Sequence, residues 1–356
     1  MIGSAEHSFI LIKRHSLIMR IAILAHEQFP NHAKTAIGIL RYSDHNVVAI
    51  LDRTKTGERV CDYVSDVQDA PIIEEMSQVS SEVDALSIGI APIGGGFDST
   101  WRSDIQDALV NGCDIINGLH YFLEDDKRIS RLADEHNCEI WDVRKPPDDL
   151  TVSDGTADNV DATVVLTVGT DCSSGKMTTS FELLQAARDQ GIDAAVIPTG
   201  QTGVMITDRG IVVDGVISDF AAGAVERMIK QVAAENDLII VEGQGSIAHP
   251  AYSGVTTSIL HGAMPDGLIL CHAANREAIR GYNHISLPPI DEYIRTYEQL
   301  SGLVSPAKVV AGAINTHHIE EAKARTAVAD YAAAIDAPAT DPVRFDATKI
   351  LNAVLK

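Results

Sequence analysis

The sequence predicts an α/β protein built from two parallel β-sheets, and three observations lead to this fold class. Short runs of β-branched residues alternate with amphipathic helical stretches from Met19 onward, as in parallel sheets whose strands are joined by helices. A stretch rich in Pro, Asp, Ser and Gly at about residues 145–160 interrupts this alternation and is typical of a linker. A chain of 356 residues with 45% hydrophobic residues can bury two cores. We therefore expect one domain over residues 19–148 and a second over residues 149–356.

The first expected domain begins with the strand pattern that follows Met19. Residues 1–18 contain an apolar run that is too short to span a membrane and lack the layout of a signal peptide, so we expect a non-native or disordered extension there. The predicted strands are "RIAILAH" (20–26), "NVVAIL" (46–51), "ALSIGIA" (85–91), "DIING" (114–118) and "CEIWDV" (138–143), and the predicted helices lie near 33–42, 101–111 and 125–136. The glycines of "PIGGGFDSTWR" predict a turn, with an anion-binding loop as the alternative.

The second expected domain repeats the same alternation after the linker. Its predicted strands are "TVVLTV" (163–168), "DAAVIP" (193–198), "LIIVEG" (238–243), "GLILCH" (267–272) and "KVVAGAIN" (308–315). Its predicted helices lie near 176–189, 219–235, 290–300 and 318–334. In open parallel sheets, ligands bind outside the carboxyl ends of the strands, so the loops that follow these strands are the candidates for a site.

Net charge is the most unusual bulk property, because 50 acidic and 28 basic residues give −22. The acidic residues are spread along the chain, which fits either an ordinary acidic enzyme or a halophilic protein adapted to high salt. A negative field of this size repels nucleic-acid phosphates and anionic lipids. We therefore expect no nucleic-acid partner and no membrane partner. The expected partners are a small-molecule substrate and further copies of the chain in a homo-oligomer.

The cysteines predict neither a disulfide framework nor a zinc site. They are Cys61, Cys113, Cys138, Cys172 and Cys271. Their number is odd and no two of them have CxxC spacing. We therefore expect a reducing, cytoplasmic compartment and no structural metal.

The segment "VGTDCSSGKMTT" (168–179) has the composition of a phosphate-binding loop. An apolar strand, Gly169, the pair Gly175-Lys176 and a following helix bring backbone N–H groups, a helix N-terminus and a lysine to one place. The spacing G-x5-G-K is one residue longer than in the common P-loop and is similar to the loop of dethiobiotin synthetase and related ligases. We expect the lysine side chain to be exposed. The expected cofactor-binding residues are Gly169, Thr170, Asp171, Ser173, Ser174, Gly175, Lys176, Met177, Thr178 and Thr179.

Met177 leaves the magnesium chemistry of this loop open. In the common P-loop, a Ser or Thr directly after the lysine binds Mg²⁺, and a carboxylate at the end of a neighbouring strand completes the site. Thr178 or Thr179 could substitute if the helix begins slightly differently, and Glu242 lies at the expected position of the second carboxylate. The residues therefore permit either a nucleotide-hydrolysing site or a phosphate cradle without magnesium.

Other strand ends supply candidates for substrate binding. The loops "PTGQTGVM" (198–205) and "EGQGSIAHP" (242–250) place small, amide and hydroxyl residues where backbone can approach a ligand. Asp219 is either an N-cap or a group that binds a substrate ammonium, and Arg276 either binds a carboxylate or forms an internal salt bridge. The candidates from these stretches are Gln201, Thr202, Gly203, Asp219, Gln244, Ser246 and Arg276.

Taken together, the motifs resemble those of one known family. The segments "GLHYFLED", "DVRKPP", "GTDCSSGKMTT", "TGQTG", "SDFAAGAVE", "VEGQGSIAHP" and "HAANR" are similar, in content and order, to the DgcN family of D-glutamate N-acetyltransferases, long described only as a domain of unknown function. The resemblance extends from about Met19 almost to the C-terminus. It implies an N-terminal Rossmann-like domain, a C-terminal P-loop NTPase-like domain, and acetyl transfer from acetyl-CoA, as co-substrate, to the amino group of a D-amino acid.

The resemblance also implies roles for particular residues. The phosphates of coenzyme A would occupy the cradle, with Lys176 among the catalytic residues, and no ATP would be broken. Glu242 or His249 could take a proton from the substrate ammonium, and Arg276 or Arg144 could hold its carboxylates. Two other functions remain open: an ATP-dependent ligase or kinase that requires Mg²⁺, and a nucleotide-binding protein without hydrolysis.

Overall fold

The computed structural model describes residues 18–91 and 96–356, which form two compact units. The first unit contains the described residues up to Pro146 together with Gln201–Gly215. The second contains Pro147–Gly200 and Val216–Lys356. The expected extension before Met19, apart from Ile18, and the glycine turn before Gly96 lie outside the described residues.

The first unit is a parallel sheet with helices. Its strands are β1 (Arg20–Leu24), β2 (Asn46–Leu51), β3 (Ile72–Ile73), β4 (Ala85–Ile88), β5 (Asp114–Asn117) and β6 (Ile140–Asp142). Its helices are α1 (Lys34–Tyr42), α2 (Arg102–Val110), α3 (Lys127–His136) and α5 (Gln201–Thr207). The strand order is β3-β2-β1-β4-β5-β6, so β1 is central and its residues from Ile21 to Leu24 are at most 1% exposed. The chain order reverses beside β1, as in Rossmann-like folds.

The second unit is another six-stranded parallel sheet. Its strands are β7 (Thr163–Gly169), β8 (Ala194–Ile197), β9 (Leu238–Val241), β10 (Gly267–Ala273), β13 (Lys308–Asn315) and β14 (Ala339–Thr340), and an antiparallel pair consists of β11 (Ala278–Ile279) and β12 (Tyr282–Ser286). Its helices are α4 (Lys176–Asp189), α6 (Ser218–Val232), α7 (Ser253–Ala263), α8 (Ile290–Ser301), α9 (Glu321–Ile335) and α10 (Thr348–Val354). The strand order β14-β13-β10-β7-β9-β8 places β7 between β10 and β9. Three carboxyl ends therefore meet at one edge of the sheet.

The predicted α/β architecture is confirmed, and most predicted elements agree with the structure within a few residues. The segment 198–205 differs, because most of it forms helix α5 rather than an open loop. The apolar residues Val204, Met205 and Ile206 of α5 are buried, and α5 packs in the first unit, where the Thr202 hydroxyl lies 2.9 Å from that of Thr35. This packing involves residues far apart in sequence, so the local glycine pattern does not reveal it. None of the helices in the described ranges 18–91 and 96–356 is both long and apolar enough to cross a membrane.

The predicted linker is held firmly against helix α6. Glu226, which is 3% exposed, accepts hydrogen bonds from the backbone N–H groups of Asp154, Gly155 and Thr156 at 2.8–3.2 Å. A Cβ at Gly223 would overlap the carbonyl oxygen of Thr151, so a glycine is needed where the linker crosses the helix. The linker therefore has a fixed position on the second unit although its sequence has no periodicity.

The expected N-cap role of Asp219 is wrong. Helix α6 begins at Ser218, its N-cap residue is Ile217, and no side chain caps it by a hydrogen bond. Asp219 is exposed in the first turn, where a carboxylate still interacts favourably with the helix dipole.

Candidate functional site

The phosphate-binding loop lies between β7 and α4, in the predicted strand–loop–helix order. Gly175 has φ +102° directly before the helix, and Ser173 has φ 51°, so the loop turns sharply enough to direct its amides inward. A Cβ at Gly169 would lie 2.7 Å from Lys176 Nζ and 2.7 Å from Ser174 Oγ. Only glycine leaves room at this point, which is the close backbone approach that a phosphate cradle requires.

Lys176 is buried, at 7% exposure, so the expected exposed position is wrong. Its Nζ donates hydrogen bonds to the carbonyl oxygens of Asp171 at 2.9 Å and Gly245 at 2.7 Å. Because carbonyl dipoles hold the ammonium inside the loop, its charge is already directed at the volume the loop surrounds. Because the Lys176 side chain is already ordered, binding a phosphate there costs little additional side-chain entropy.

Arg276 is anchored to the loop. Its Nη1 lies 3.1 Å from Asp171 Oδ2 and donates to the carbonyl oxygen of Cys172 at 2.5 Å. The Asp171 carboxylate is fully buried and also accepts from the backbone N–H groups of Cys172 at 2.7 Å and Arg280 at 2.8 Å. This half-buried ion pair fixes the shape of the loop, and it is the internal salt bridge that the sequence left open for Arg276.

The residues after Lys176 offer little to a magnesium ion in this arrangement. Met177 is 5% exposed within helix α4, which begins at Lys176 as predicted. The Thr179 hydroxyl is buried 3.7 Å from the sulfur of Cys271 in β10, so it faces the sheet. Thr178 is half-buried one position earlier. The helix start is not shifted, so neither threonine occupies the position of the hydroxyl that is missing at residue 177.

Glu242 follows β9 directly, as the sequence predicts for the second carboxylate. It is 3% exposed, and its Oε2 accepts a hydrogen bond of 3.4 Å from the backbone N–H of Thr199. The neighbouring Gly243 lies against β7, because a Cβ there would overlap the carbonyl oxygen of Thr167 and lie 3.5 Å from Lys176 Cδ. The loop 242–250 is therefore packed against the phosphate loop.

Both nitrogens of His249 make hydrogen bonds to the backbone. Nδ1 accepts from the backbone N–H of Ala251 at 3.2 Å, so Nε2 carries the proton and donates to the carbonyl oxygen of Arg280 at 3.2 Å. The ring, which is 2% exposed, therefore joins two loops. In this arrangement it has no lone pair available to accept a substrate proton.

His249 also lies beside Asp171 and Cys172, with possible metal-binding atoms within 4.8 Å of one another. The hydrogen bonds to Asp171 and His249 described above already occupy these atoms. Burial raises the pKa of the Cys172 thiol more than the nearby Lys176, Arg280 and Arg276 lower it. The thiol therefore stays protonated, and we assign these three residues to loop structure.

Ser246 and Gln244 lie in the same loop. Ser246 is fully buried and its Oγ accepts from the backbone N–H of Ala248 at 3.4 Å. The Gln244 amide lies against Gly200, where a Cβ would be 2.6 Å from Gln244 Nε2. The structure thus brings Gln244, Ser246, Glu242 and His249 together beside the phosphate loop.

Four predicted substrate-binding residues belong to the first unit: Gln201, Thr202, Gly203 and Arg144. Arg144 is 6% exposed, and its Nη1 pairs with both carboxylate oxygens of Asp214 at 2.5 and 2.6 Å while its Nε donates to the carbonyl oxygen of Gly118 at 2.8 Å. A Cβ at Gly118 would lie 3.3 Å from Gln201 Cγ, so α5 also packs against this strand end.

Two further residues belong to the site, and only one of them lies in a motif. Tyr297 on α8 is fully buried, and its hydroxyl donates to the carbonyl oxygen of Gly169 at 2.8 Å and accepts from the backbone N–H of Ile247 at 3.0 Å. His272, at the end of β10, has its Nδ1 2.9 Å from the hydroxyl of Thr170. The motif "HAANR" and its position at a strand end indicated His272 from the sequence, and nothing local indicated Tyr297.

Sequence comparisons agree with this two-part organisation. Residues 53–146 match the family described as a domain of unknown function, DUF1611_N, Rossmann-like domain, and residues 151–351 match the DUF1611_C P-loop domain. The chain is 37% identical over 258 residues to a D-glutamate N-acetyltransferase of Pseudoalteromonas sp., covering 72% of this chain and 77% of that protein. It is 34% identical over 273 residues to a D-glutamate N-acetyltransferase of Tritonibacter scottomollicae, covering 76% of this chain and 80% of that one.

A solved structure extends the similarity to the fold. The crystal structure of a DUF1611 family protein from Anabaena variabilis superposes with a TM-score of 0.90 at 38% identity and covers 95% of this chain and 99% of that chain. The resemblance that the motifs predict is thereby confirmed, together with a Rossmann-like domain followed by a P-loop domain. Because the match at residues 151–351 alone covers more than half of the sequence, this chain belongs to the DUF1611 family.

Proposed function

We propose that the protein is an N-acetyltransferase that transfers an acetyl group from acetyl-CoA to the amino group of a D-amino acid such as D-glutamate. The observation that carries the proposal is the identity of 37% and 34%, over most of the chain, to two D-glutamate N-acetyltransferases. The loop around Lys176 supports it, because the proposed donor carries phosphates that such a loop can bind.

The residues of the loop fit the phosphates of a coenzyme A thioester. Backbone N–H groups of the segment 173–175, the N-terminus of α4 and the buried ammonium of Lys176 would hold them. Acetyl-CoA supplies the acetyl group in activated form, as a thioester. Since no phosphate bond is broken in this reaction, a buried Met177 in place of the magnesium-binding hydroxyl fits a phosphate-holding role.

We propose that backbone amides of the segment 244–246 stabilise the negative charge that develops on the thioester oxygen. The positive φ of 59° at Gly245 and the tight packing of Gly243 hold this segment in one conformation. Fixed donors of this kind stabilise an oxyanion because they need no reorganisation during the reaction. Arg276 would present the remaining face of its guanidinium to a substrate carboxylate.

We also propose a reducing cytoplasmic location and a protein adapted to salt. All five cysteines are free, and the composition gives a net charge of −22. A reducing compartment is consistent with free thiols, and a large negative charge is tolerated best where salt screens it.

The activity can be tested directly with acetyl-CoA and a panel of D- and L-amino acids. We expect release of free coenzyme A with D-glutamate or a similar D-amino acid, unchanged by a metal chelator. Calorimetric titrations with acetyl-CoA, with ADP, and with ATP plus Mg²⁺ separate the alternatives. Chelator-sensitive turnover of ATP would support a ligase or kinase, and nucleotide binding without any turnover would support a binding protein.

A further inference from the structure

An open cavity of about 330 Å³ lies beside the phosphate loop in the second unit. Its volume is within the range of about 300–1,000 Å³ that is usual for small-molecule sites. Thr170 belongs both to this cavity and to the loop, so the two spaces are adjacent. The connection between β12 and α8, residues 287–290, supplies an apolar wall, and Tyr293 lies at its base.

The polar side of the cavity carries one positive and one negative charge. Arg276 lines the cavity with its side chain 23% exposed, although its Nη1 is committed to Asp171. The neighbouring Glu277 is exposed, and among the described residues its carboxylate makes no ion pair. An α-amino acid presents a carboxylate and an ammonium, so this pair matches both of its charges.

His272 lies between these charges and the loop. Its Nδ1 is 2.9 Å from the Thr170 hydroxyl, and its ring stacks on Tyr331 with centroids 5.5 Å apart, which fixes the plane of the imidazole. Within the described part of the chain, Nε2 has no hydrogen-bond partner. In the tautomer in which Nδ1 donates its proton to the Thr170 hydroxyl, Nε2 has a free lone pair.

We propose that this cavity binds the acyl-acceptor amino acid, with Arg276 on its carboxylate, Glu277 on its ammonium, and His272 Nε2 as the base that removes the ammonium proton. The proposal rests on the proposed acetyl transfer and adds to it the acceptor site and the base. It places the base at His272 instead of Glu242, which is buried beside Thr199, or His249, whose nitrogens are both engaged.

His272 is neutral at neutral pH, because burial of the ring, together with the nearby Arg276, lowers its pKa to about 4. An amino acid ammonium is a weaker acid than this imidazolium, so proton transfer to Nε2 is unfavourable by itself and must be coupled to attack of the amine on the thioester. The other charged or titratable groups around it are Glu277, Asp171 in the loop, Tyr293 of α8 and Tyr331 of α9.

In the reaction, one ammonium proton passes to Nε2 and leaves an amine with a lone pair. That lone pair forms the C–N bond to the thioester carbonyl carbon, the C–S bond breaks, and the sulfur leaves with the bonding electrons. After the C–N bond has formed, the nitrogen gives up a second proton, which the departing thiolate takes up, so the products are the N-acetyl amino acid and free coenzyme A. His272 returns to its neutral form when its proton passes to solvent.

The acceptor site is tested by Glu277→Gln, which removes a charge that the fold does not use. We expect the KM for D-glutamate to rise by at least about tenfold while the KM for acetyl-CoA stays unchanged. The matched control is Glu235→Gln, an exposed glutamate before β9, at the opposite edge of the sheet. Equal kinetics for the two variants would overturn the acceptor assignment.

The base is tested by His272→Gln, which keeps a polar side chain of similar reach. We expect kcat to fall by about 100- to 10,000-fold with little change in either KM. The residual rate should keep rising with pH as free amine accumulates, whereas the wild-type rate levels off. A merely structural role would lower the rate equally at every pH, and that result, or an unchanged kcat, would reject His272 as the base.

A binding measurement separates this proposal from the proposed activity. Calorimetric titration of the wild type with D-glutamate should show binding that Glu277→Gln weakens and Glu235→Gln does not. An absence of acetyl transfer together with this pattern would reject the activity but retain the amino acid site. Acetyl transfer with identical D-glutamate binding by all three proteins would retain the activity and reject the site.

Discussion

The hydroxyl of Tyr297 donates a hydrogen bond of 2.8 Å to the carbonyl oxygen of Gly169, the last residue of the strand before the phosphate loop. The hydroxyl oxygen of Tyr297 also accepts a hydrogen bond from the backbone N–H of Ile247 at 3.0 Å. Burial raises the pKa of Tyr297 to about 12, so the hydroxyl keeps its proton and can act as donor and acceptor at once. One side chain from α8 thus joins the phosphate loop to the loop 242–250.

Tyr297→Phe should therefore destabilise the protein. The change leaves two buried backbone groups without their partner, and we expect the free energy of unfolding to fall by about 1–3 kcal/mol. Urea unfolding measures this, with Tyr252→Phe as the control because Tyr252 is 49% exposed. Equal midpoints for the two variants would show that the buried hydroxyl contributes nothing to stability.

Protonation of Glu226 in acid should weaken the hydrogen bonds that hold the linker against helix α6. Burial alone would raise the pKa of Glu226, but hydrogen bonds from Lys230, Ser153 and Thr156 outweigh it and hold the pKa well below the ordinary value of 4.5. A lowered pKa in the folded state means that the stabilisation is complete above pH 4.5 and is lost as the pH falls below it. Glu226→Gln should cost about 1.5–3 kcal/mol at pH 7 and much less near pH 3, measured by denaturant unfolding at both values. If the free energies of unfolding of wild type and variant differ by the same amount at both pH values, this assignment of Glu226 is contradicted.

Local sequence patterns predicted the elements around the site. Helix α4 spans Lys176–Asp189 and strand β13 spans Lys308–Asn315, as expected. Both could be predicted because their apolar residues recur at regular spacing and the first residue of each element is easily recognised. Gly175 also marks the start of α4 correctly, since its positive φ of 102° excludes most other residues.

The side-chain contacts of the site could not be predicted in the same way, because their partners are distant in sequence. Lys176 reaches a carbonyl oxygen 69 residues away, and Arg276 pairs with a carboxylate 105 residues away. Tyr297 bonds a residue 128 positions earlier. Helix α5 was missed for the same reason, since its apolar face packs on residues of the first unit that no local pattern contains.

Salt should stabilise the protein if its surface is adapted to high salt. At −22, the surface charges repel one another, and screening by KCl weakens that repulsion. We expect Tm to rise by at least about 5 °C from low to molar KCl, measured by differential scanning fluorimetry. A flat Tm over that range would indicate an ordinary acidic protein.

Lys176→Ala should abolish binding at the phosphate loop. The ammonium is the charge that the loop directs inward, and charge-assisted hydrogen bonds contribute about 1.5–3 kcal/mol each, so we expect acetyl-CoA to bind at least about 100-fold more weakly. Because Lys176 is buried, melting must be measured beside calorimetry to show that the variant is folded. Lys323→Ala, an exposed lysine on α9, is the control. Unchanged affinity of folded Lys176→Ala for both acetyl-CoA and ATP would contradict the phosphate-binding assignment.

Met177→Thr distinguishes a transferase from a magnesium-dependent enzyme. It restores the hydroxyl that common P-loops place beside the lysine, so a ligase or kinase should gain Mg²⁺ affinity or ATP turnover, and a transferase should gain neither. Met177 is 5% exposed at the base of α4, so the smaller, polar threonine should cost about 1–3 kcal/mol of stability whichever function is correct. Activity must therefore be compared at a temperature where both proteins are fully folded. We expect the wild type to transfer acetyl groups without added magnesium and without ATP hydrolysis above background, and the variant to behave alike. A gain of chelator-sensitive ATP turnover in the variant would show that the site lacks only this hydroxyl to act as a nucleotide-hydrolysing enzyme, and it would favour the ligase.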